Sequence, residues 1–248
     1  AQEHAAGPVR EAIARGGFAP FLLHGVTGSG KTALYLHAIQ DALQRGGRAL
    51  YLVPEIALTP SAAARLRALF PGRVSLFHSG LSDGERLQEF RRAASGEARV
   101  VVGTRSALFL PLDPLRLVVV DEEQETAYKQ EESPRYQARD AALVRARAAG
   151  AAVLLGSATP SMESLANADR GRYTLLTLSE RVESRPLPVV TVADLRRECP
   201  APGDHGRVLF SRVLTGALER CFSAGDQAIL LVNRRGWSPV LLCRLCGH

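Results

Sequence analysis

No apolar run in this sequence reaches the roughly 18 residues that a membrane-spanning helix needs, and residues 1–15 are polar and mixed rather than signal-like. The expectation is a cytoplasmic protein with no membrane partner. Lysine is almost absent: Lys31 and Lys129 are the only two, so arginine carries nearly all the positive charge. That bias fits a GC-rich genome, and a lysine that persists under it marks a place where the chemistry needs an ammonium group. Cysteine is scarce as well. Of Cys199, Cys221, Cys243 and Cys246 only the last two stand at a metal-ligand spacing, and a cytoplasmic disulfide is not expected. Internal repeats and low-complexity tracts are lacking, which excludes solenoids and repeat arrays.

What remains is an ordinary globular composition, 46% hydrophobic and 23% charged over 248 residues, enough for one large core and the start of a second. The net charge of +6 is compatible with a polyanionic partner but also describes many proteins that bind no nucleic acid. Short Val- and Leu-rich runs predict strands over Phe21–His24, Ala49–Val53, Val74–Phe77, Val100–Gly103, Leu117–Asp121 and Val153–Gly156. Between them, helical periodicity predicts helices over Thr32–Arg45, Thr59–Leu69, Asp83–Ser95 and Arg139–Ala149. Alternation of this kind reads as a parallel sheet covered on both faces. After Ser157 the pattern loosens, and the proline-rich stretch 180–206 reads as a connector. A second core is expected over 207–248, with a helix at Ser211–Phe222 and a buried strand at Ala228–Val232.

Residues 25–32 read GVTGSGKT and lie between an apolar strand and a helix, the context a GxxxxGK[ST] motif demands. Its glycines let backbone N–H groups close around phosphate oxygens, and the helix N-terminus adds a favourable dipole. Gly25, Thr27, Gly28, Ser29, Gly30, Lys31 and Thr32 are therefore the candidate phosphate cradle, with Lys31 reaching the β and γ phosphates and Thr32 ligating magnesium. A glycine-rich turn matching by accident is the bland alternative. Together with the strand pattern, the motif predicts an α/β fold: a RecA-like P-loop domain, doubly wound, over 1–179.

The run LVVVDE ends a strand in two carboxylates, Asp121 and Glu122, at the carboxyl edge where open α/β sheets bind ligands. In P-loop ATPases such an aspartate holds magnesium, and a following glutamate can orient and deprotonate the attacking water. Glu123 and Glu125 continue the charge run, so a solvated acidic turn is the competing reading.

Six segments carry a family resemblance: GVTGSGKT, LVPEIALTP at 52–60, FHSGLSDGERLQEFRRAASGEARVVVGTRSALFLPL at 77–112, the run that opens DEEQETAYKQEESPRYQARD at 121, GSATPSMES at 156–164, and NRRGWSPVLLCRLCG at 233–247. In this order they resemble the superfamily 2 helicases, and within them the replication-restart (PriA) family. The resemblance runs over nearly the whole chain and implies ATP, magnesium and zinc as cofactors, single-stranded and forked DNA as substrate, and a nucleoid-associated location. Implied protein partners are other replication-restart and helicase-loading proteins and the single-stranded DNA-binding protein.

Carried onto matching positions, the resemblance implies DNA contact or coupling roles for Thr59, Thr104 and Arg105 at strand edges, where hydroxyls, amides and a guanidinium can grip successive phosphates. Helix caps or turns would serve equally well for Thr59 and its like. Tyr128, Lys129, Arg135 and Tyr136 fall in a segment resembling an aromatic-rich loop that reports DNA binding to the ATP site; they could stack on bases and hold phosphates, or form a plain surface loop with two half-buried tyrosines. Ser157 and Thr159 match a motif that links nucleotide state to lobe movement. Gln124 departs from the family, most of whose members carry histidine there. Gln2 resembles a glutamine that bonds adenine. Cys243 and Cys246, with His248 a further possible donor, resemble the first of several pairs binding structural zinc, a site incomplete in this stretch. The family would carry a DNA-binding domain before this stretch and the rest of a second lobe after it, with arginines that act on the transferring phosphate, so little hydrolysis is expected of these 248 residues alone.

Three readings follow: an ATP-driven DNA translocase and helicase, a DNA-binding loading scaffold in which ATP only switches conformation, and an unrelated P-loop kinase or GTPase. The DEEQ, SAT and NRRG blocks argue against the third.

Overall fold

A computed structural model describes residues 2–54, 57, 59–181, 189–197 and 210–231. Contacts divide the chain into two compact units, Ala1–Arg185 and Pro186–His248. In the first, the helix α1 (Gln2–Arg15) leads into β1 (Ala19–Gly25), α2 (Lys31–Gln44), β2 (Arg48–Leu52), α3 (Pro60–Leu69), β3 (Val74–Phe77), α4 (Asp83–Ser95), β4 (Val100–Gly103) and β5 (Leu115–Asp121). A small antiparallel ribbon of β6 (Lys129–Gln130) and β7 (Tyr136–Gln137) precedes α5 (Ala138–Ala149), β8 (Ala152–Ser157), α6 (Met162–Asp169) and β9 (Thr174–Leu178).

Seven strands form one parallel sheet in the order β3-β4-β2-β5-β8-β1-β9. Side chains alternate across it. Phe21, Leu23, Ala49, Tyr51, Leu117 and Val119 pack with α1, α2 and α3, whereas Leu22, Leu50, Leu52, Val118 and Val120 join the cluster that holds α5 alanines on the other face. Both faces being covered, each central strand is apolar on both sides, and this is why the strands read as continuous Val and Leu runs.

Two local signals set helix positions that matter to the site. Ser82 and Glu85 close a capping box at the start of α4. Thr59 caps α3 by accepting from the Ala62 amide at 3.3 Å, with Pro60 in the first turn.

Besides the β6–β7 ribbon, three elements were not anticipated. In α1, Ala5, Val9, Ala12 and Ile13 are buried at helical spacing despite an internal Pro8. The others are α6 and the edge strand β9. In the second unit, α7 (Arg212–Ser223) is capped by Ser211 and lies within one residue of the expected helix. The buried strand expected from Ala228 is not present over its described residues: 228–231 form no strand, and Ile229 is 99% exposed. A strand exists only as part of a ladder, and the described residues of that unit supply no second strand to pair with. Among the described residues no helix is long and apolar enough to cross a membrane.

Candidate functional site

The loop 25–30 leaves the end of β1 and delivers its last residue, Gly30, as the N-cap of α2 with φ 89°. Gly28 also has a positive φ of 80°. Gly25 is favoured for a different reason, since a Cβ there would lie 2.6 Å from the Ser29 Oγ and 3.1 Å from the Leu178 Cβ, and those side chains would have to shift. Lys31, 9% exposed, donates from Nζ to the Gly25 carbonyl at 2.8 Å, so the ammonium is held inside its own loop with two further hydrogens for phosphate oxygens. Thr27 and Thr32 are exposed at the loop mouth and at the first turn of α2. Gln2 opens α1, and its side chain lies outside the described residues.

Asp121 ends β5 and is gripped from three directions. Tyr35 of α2 donates to Oδ1 at 3.0 Å, Tyr51 of β2 to Oδ2 at 3.5 Å, and Tyr128 to the backbone carbonyl at 2.6 Å. Burial raises the Asp121 carboxyl above the usual range, and the Tyr35 hydrogen bond and nearby Lys31 charge oppose that rise. Burial likewise pushes the Tyr35 and Tyr51 phenols upward, reinforced by the Asp121 charge, so both remain donors. Thr32 and Asp121 line one cavity of about 490 Å³. Two oxygen donors facing a shared space suit a hard cation such as magnesium.

Glu122 is the one non-glycine residue with a positive φ, 46°, among the described residues. Such a backbone costs about 1–3 kcal/mol and persists where surrounding bonds over-determine it. Here those bonds run sideways to the next strand. Gln124 donates from Nε2 to Glu122 at 2.9 Å, and its Oε1 accepts from the Ser157 hydroxyl at 2.5 Å. Ser157 Oγ also accepts from the Thr159 amide at 2.9 Å. Strand register makes this possible, because β5 pairs with β8 so that Asp121 faces Gly156.

Glu123 overturns the picture of a solvated acidic turn at that position. It is 0% exposed and accepts from the Ser161 amide (2.7 Å), Ser161 hydroxyl (3.1 Å), Ser164 hydroxyl (2.9 Å) and Arg139 guanidinium (3.0 Å). Four donors, one of them cationic, are what a buried carboxylate needs. Sequence reasoning missed Glu123, Arg139, Ser161 and Ser164. Only the excess of acids over the two assigned roles hinted at the first.

On the same sheet edge a groove of about 410 Å³ is lined by Pro54, Arg86, Arg105, Ser106, Phe109 and Tyr136 among others. Arg105 donates to the carbonyls of Ala127 and Lys129, tying the β6 segment to the turn after β4. Phe109 is 64% exposed and meets Tyr136 edge to face at 5.2 Å, and Arg145 of α5 pins its turn through the carbonyls of Leu108 and Leu110. Phe109 was not anticipated, because one phenylalanine in the run SALFLPL carries no sign of which side chain faces outward.

The stacking role expected of Tyr128 does not fit. Its ring is 1% exposed and its hydroxyl serves Asp121, so no face is open to a base. Thr104 is nearly as buried. Thr59 is exposed, but its hydroxyl caps α3. Lys129 and Arg135 are exposed; Lys129 pairs with Glu131, and Arg135 donates to the Glu131 carbonyl. Cys243, Cys246 and the rest of 232–248 lie outside the described residues.

Residues 9–168 match the DEAD/DEAH box helicase family. The chain belongs to that family. The replication restart protein PriA of Bacillus subtilis is 46% identical over 241 residues, 97% of this chain and 30% of that protein. PriA of Haemophilus influenzae is 43% identical, over 93% of this chain and 31% of its own length. The chain thus spans under a third of these curated relatives. Among solved structures, RecG bound to a three-way DNA junction aligns at TM-score 0.53 and 23% identity, covering 72% of this chain and 23% of RecG. A DEAD box protein from Methanococcus jannaschii aligns at TM-score 0.50 and 20% identity, covering 70% and 49%. Both share the fold of this helicase-family domain.

Proposed function

We propose that this chain is the nucleotide-binding part of an ATP-driven DNA translocase and helicase of the replication-restart kind, with 1–179 as its first lobe, 180–206 as connector and 207–248 as the start of a second lobe. The observation that carries this reading is the side-chain path from Glu122 through Gln124 to Ser157, which joins the acidic strand to its neighbour beside the P-loop. A static phosphate-binding protein has no use for such a path. A motor must pass a change at the γ-phosphate to distant elements.

In this reading Lys31 and the amides of 28–32 hold the phosphates, and Gln2 contacts adenine. Thr32 and Asp121 would hold magnesium, which when bound neutralises charge on the phosphate oxygens. Glu122, turned by its left-handed backbone, orients the attacking water and accepts its proton. The groove with Arg105, Phe109 and Tyr136 takes single-stranded DNA, phosphates at the guanidinium and bases on the aromatic edge. Cys243 and Cys246 would contribute to structural zinc, and restart, helicase-loading and single-stranded DNA-binding proteins would be partners of the longer protein in the cytoplasm.

Measuring ATP hydrolysis with and without forked DNA, in a protein carrying both lobes, tests the proposal. Strong stimulation and strand separation support a helicase; ATP-dependent DNA binding without unwinding supports the scaffold reading instead.

A further inference from the structure

Three of the five tyrosines in the sequence serve a single residue, Asp121. They come from α2, β2 and the turn after β5, so no local motif groups them. The bonds are also unequal. Oδ1 accepts both the Tyr35 hydroxyl at 3.0 Å and the Glu122 amide at 3.0 Å, which uses its two lone pairs. Among the described residues Oδ2 accepts only the long 3.5 Å bond from Tyr51. One oxygen is therefore committed to the protein while the other keeps capacity for a ligand.

A neighbouring strand is shaped around this arrangement. A Cβ built at Gly156 would lie 1.6 Å from the Tyr35 hydroxyl oxygen, so only glycine on β8 lets that hydroxyl reach the carboxylate. Gly156 is paired in register with Asp121 on one side and Leu23 of β1 on the other, between the acidic strand and the P-loop strand. The Tyr35 and Tyr51 rings lean on each other with centroids 5.8 Å apart, and Tyr51 lines the cavity that Thr32 and Asp121 share.

We infer that Tyr35, admitted by Gly156, is a positioning residue for the metal-binding carboxylate: it locks Asp121 Oδ1 so that Oδ2 is presented to a divalent cation beside Thr32. Tyr51 is the lesser partner, holding Oδ2 loosely enough to yield it. The inference rests on the nucleotide-site reading above. A carboxylate free to rotate in a buried site would pay an orientation cost each time a cation bound, and a fixed one does not.

The test uses the 248-residue chain and a fluorescent ATP analogue, titrated with magnesium, beside manganese binding followed by electron paramagnetic resonance. Tyr35→Phe removes one oxygen and keeps the ring. It should raise the cation concentration for half-maximal effect about tenfold, the scale of one hydrogen bond to a charged group, and leave nucleotide affinity in EDTA unchanged. Tyr51→Phe should shift the midpoint less. Gly156→Ala, which keeps every tyrosine but displaces the hydroxyl, should reproduce Tyr35→Phe. A Tyr35→Phe midpoint equal to the parent's, while Asp121→Asn still shifts it, would overturn the inference and leave Tyr35 a packing residue whose loss shows only in melting temperature. A parent chain that binds no nucleotide but still binds manganese through Asp121 would overturn the nucleotide reading and leave the positioning role to be judged by the manganese midpoints of the same variants.

Discussion

Ser157 donates to Gln124 at 2.5 Å, and that single bond bridges two adjacent strands of the sheet at the level of the candidate catalytic acids. The same glutamine donates onward to Glu122, so on the proposed function a shift of the Ser157 to Thr159 segment would carry through to the carboxylate that activates water.

On the function proposed above, Gln124 is a place to tune coupling without touching phosphate binding. In a protein carrying both helicase lobes, Gln124→His should leave nucleotide affinity nearly unchanged and raise DNA-stimulated turnover, since histidine can titrate near neutrality and use either ring nitrogen. Gln124→Ala should lower stimulation by cutting the bridge. Steady-state hydrolysis against DNA concentration reads both; equal stimulation in all three proteins would exclude a coupling role.

Lys31→Ala should abolish nucleotide binding in calorimetry, a loss of roughly 3 kcal/mol or more for an ammonium shared between phosphate oxygens. Lys31→Arg should also bind poorly, because the ammonium sits inside a tight loop, bonded to the Gly25 carbonyl, where a planar guanidinium has no room.

For the groove, DNA affinity and its salt dependence separate two kinds of contact. Phe109→Ala and Tyr136→Ala should each weaken single-strand binding by about 1–3 kcal/mol with an unchanged salt slope, as loss of stacking does. Arg105→Ala should weaken binding and reduce the slope of log K against log salt by about 0.7, the mark of one lost phosphate contact on a single strand. An unchanged slope would mean that Arg105 serves only to staple the carbonyls of Ala127 and Lys129.

Breaking the buried pair should be costly. Arg139→Ala leaves Glu123 buried without its cationic partner, and urea unfolding should show a loss of about 3–5 kcal/mol. Glu123→Leu combined with Arg139→Met should cost less than the two single changes added together, because neither charge is then stranded.

Most of the sheet was legible because strands buried on both faces are uniformly apolar, and Val74–Phe77 and Val100–Gly103 coincide with their observed limits. The first helix was not, since Gly7 and Pro8 interrupt it and only the spacing of Val9, Ala12 and Ile13 betrays a buried stripe. The strand Thr174–Leu178 lies at a sheet edge, where mixed polarity is tolerated and the apolar signature fades. At the site, the P-loop and Asp121 were legible as motifs. Most of the tyrosines around Asp121 and the partners of Glu123 were not, because chain crossovers bring them in from far away: Arg139 from 16 positions, Ser161 from 38, Ser164 from 41, Tyr51 from 70 and Tyr35 from 86.

The four donors on Glu123 carry an evolutionary consequence. Positions 123, 139, 161 and 164 lie on three separate segments yet share one buried charge, so a lineage that replaces the acid at 123 or the arginine at 139 alone strands the other's charge. That pair is expected to change together or not at all, whereas the serines are freer, since the Ser161 amide donates whatever its side chain. Descendants that lose the acid at 123 should also have traded the arginine at 139 for an apolar residue, and the order of those two replacements should run through an intermediate too unstable to persist for long.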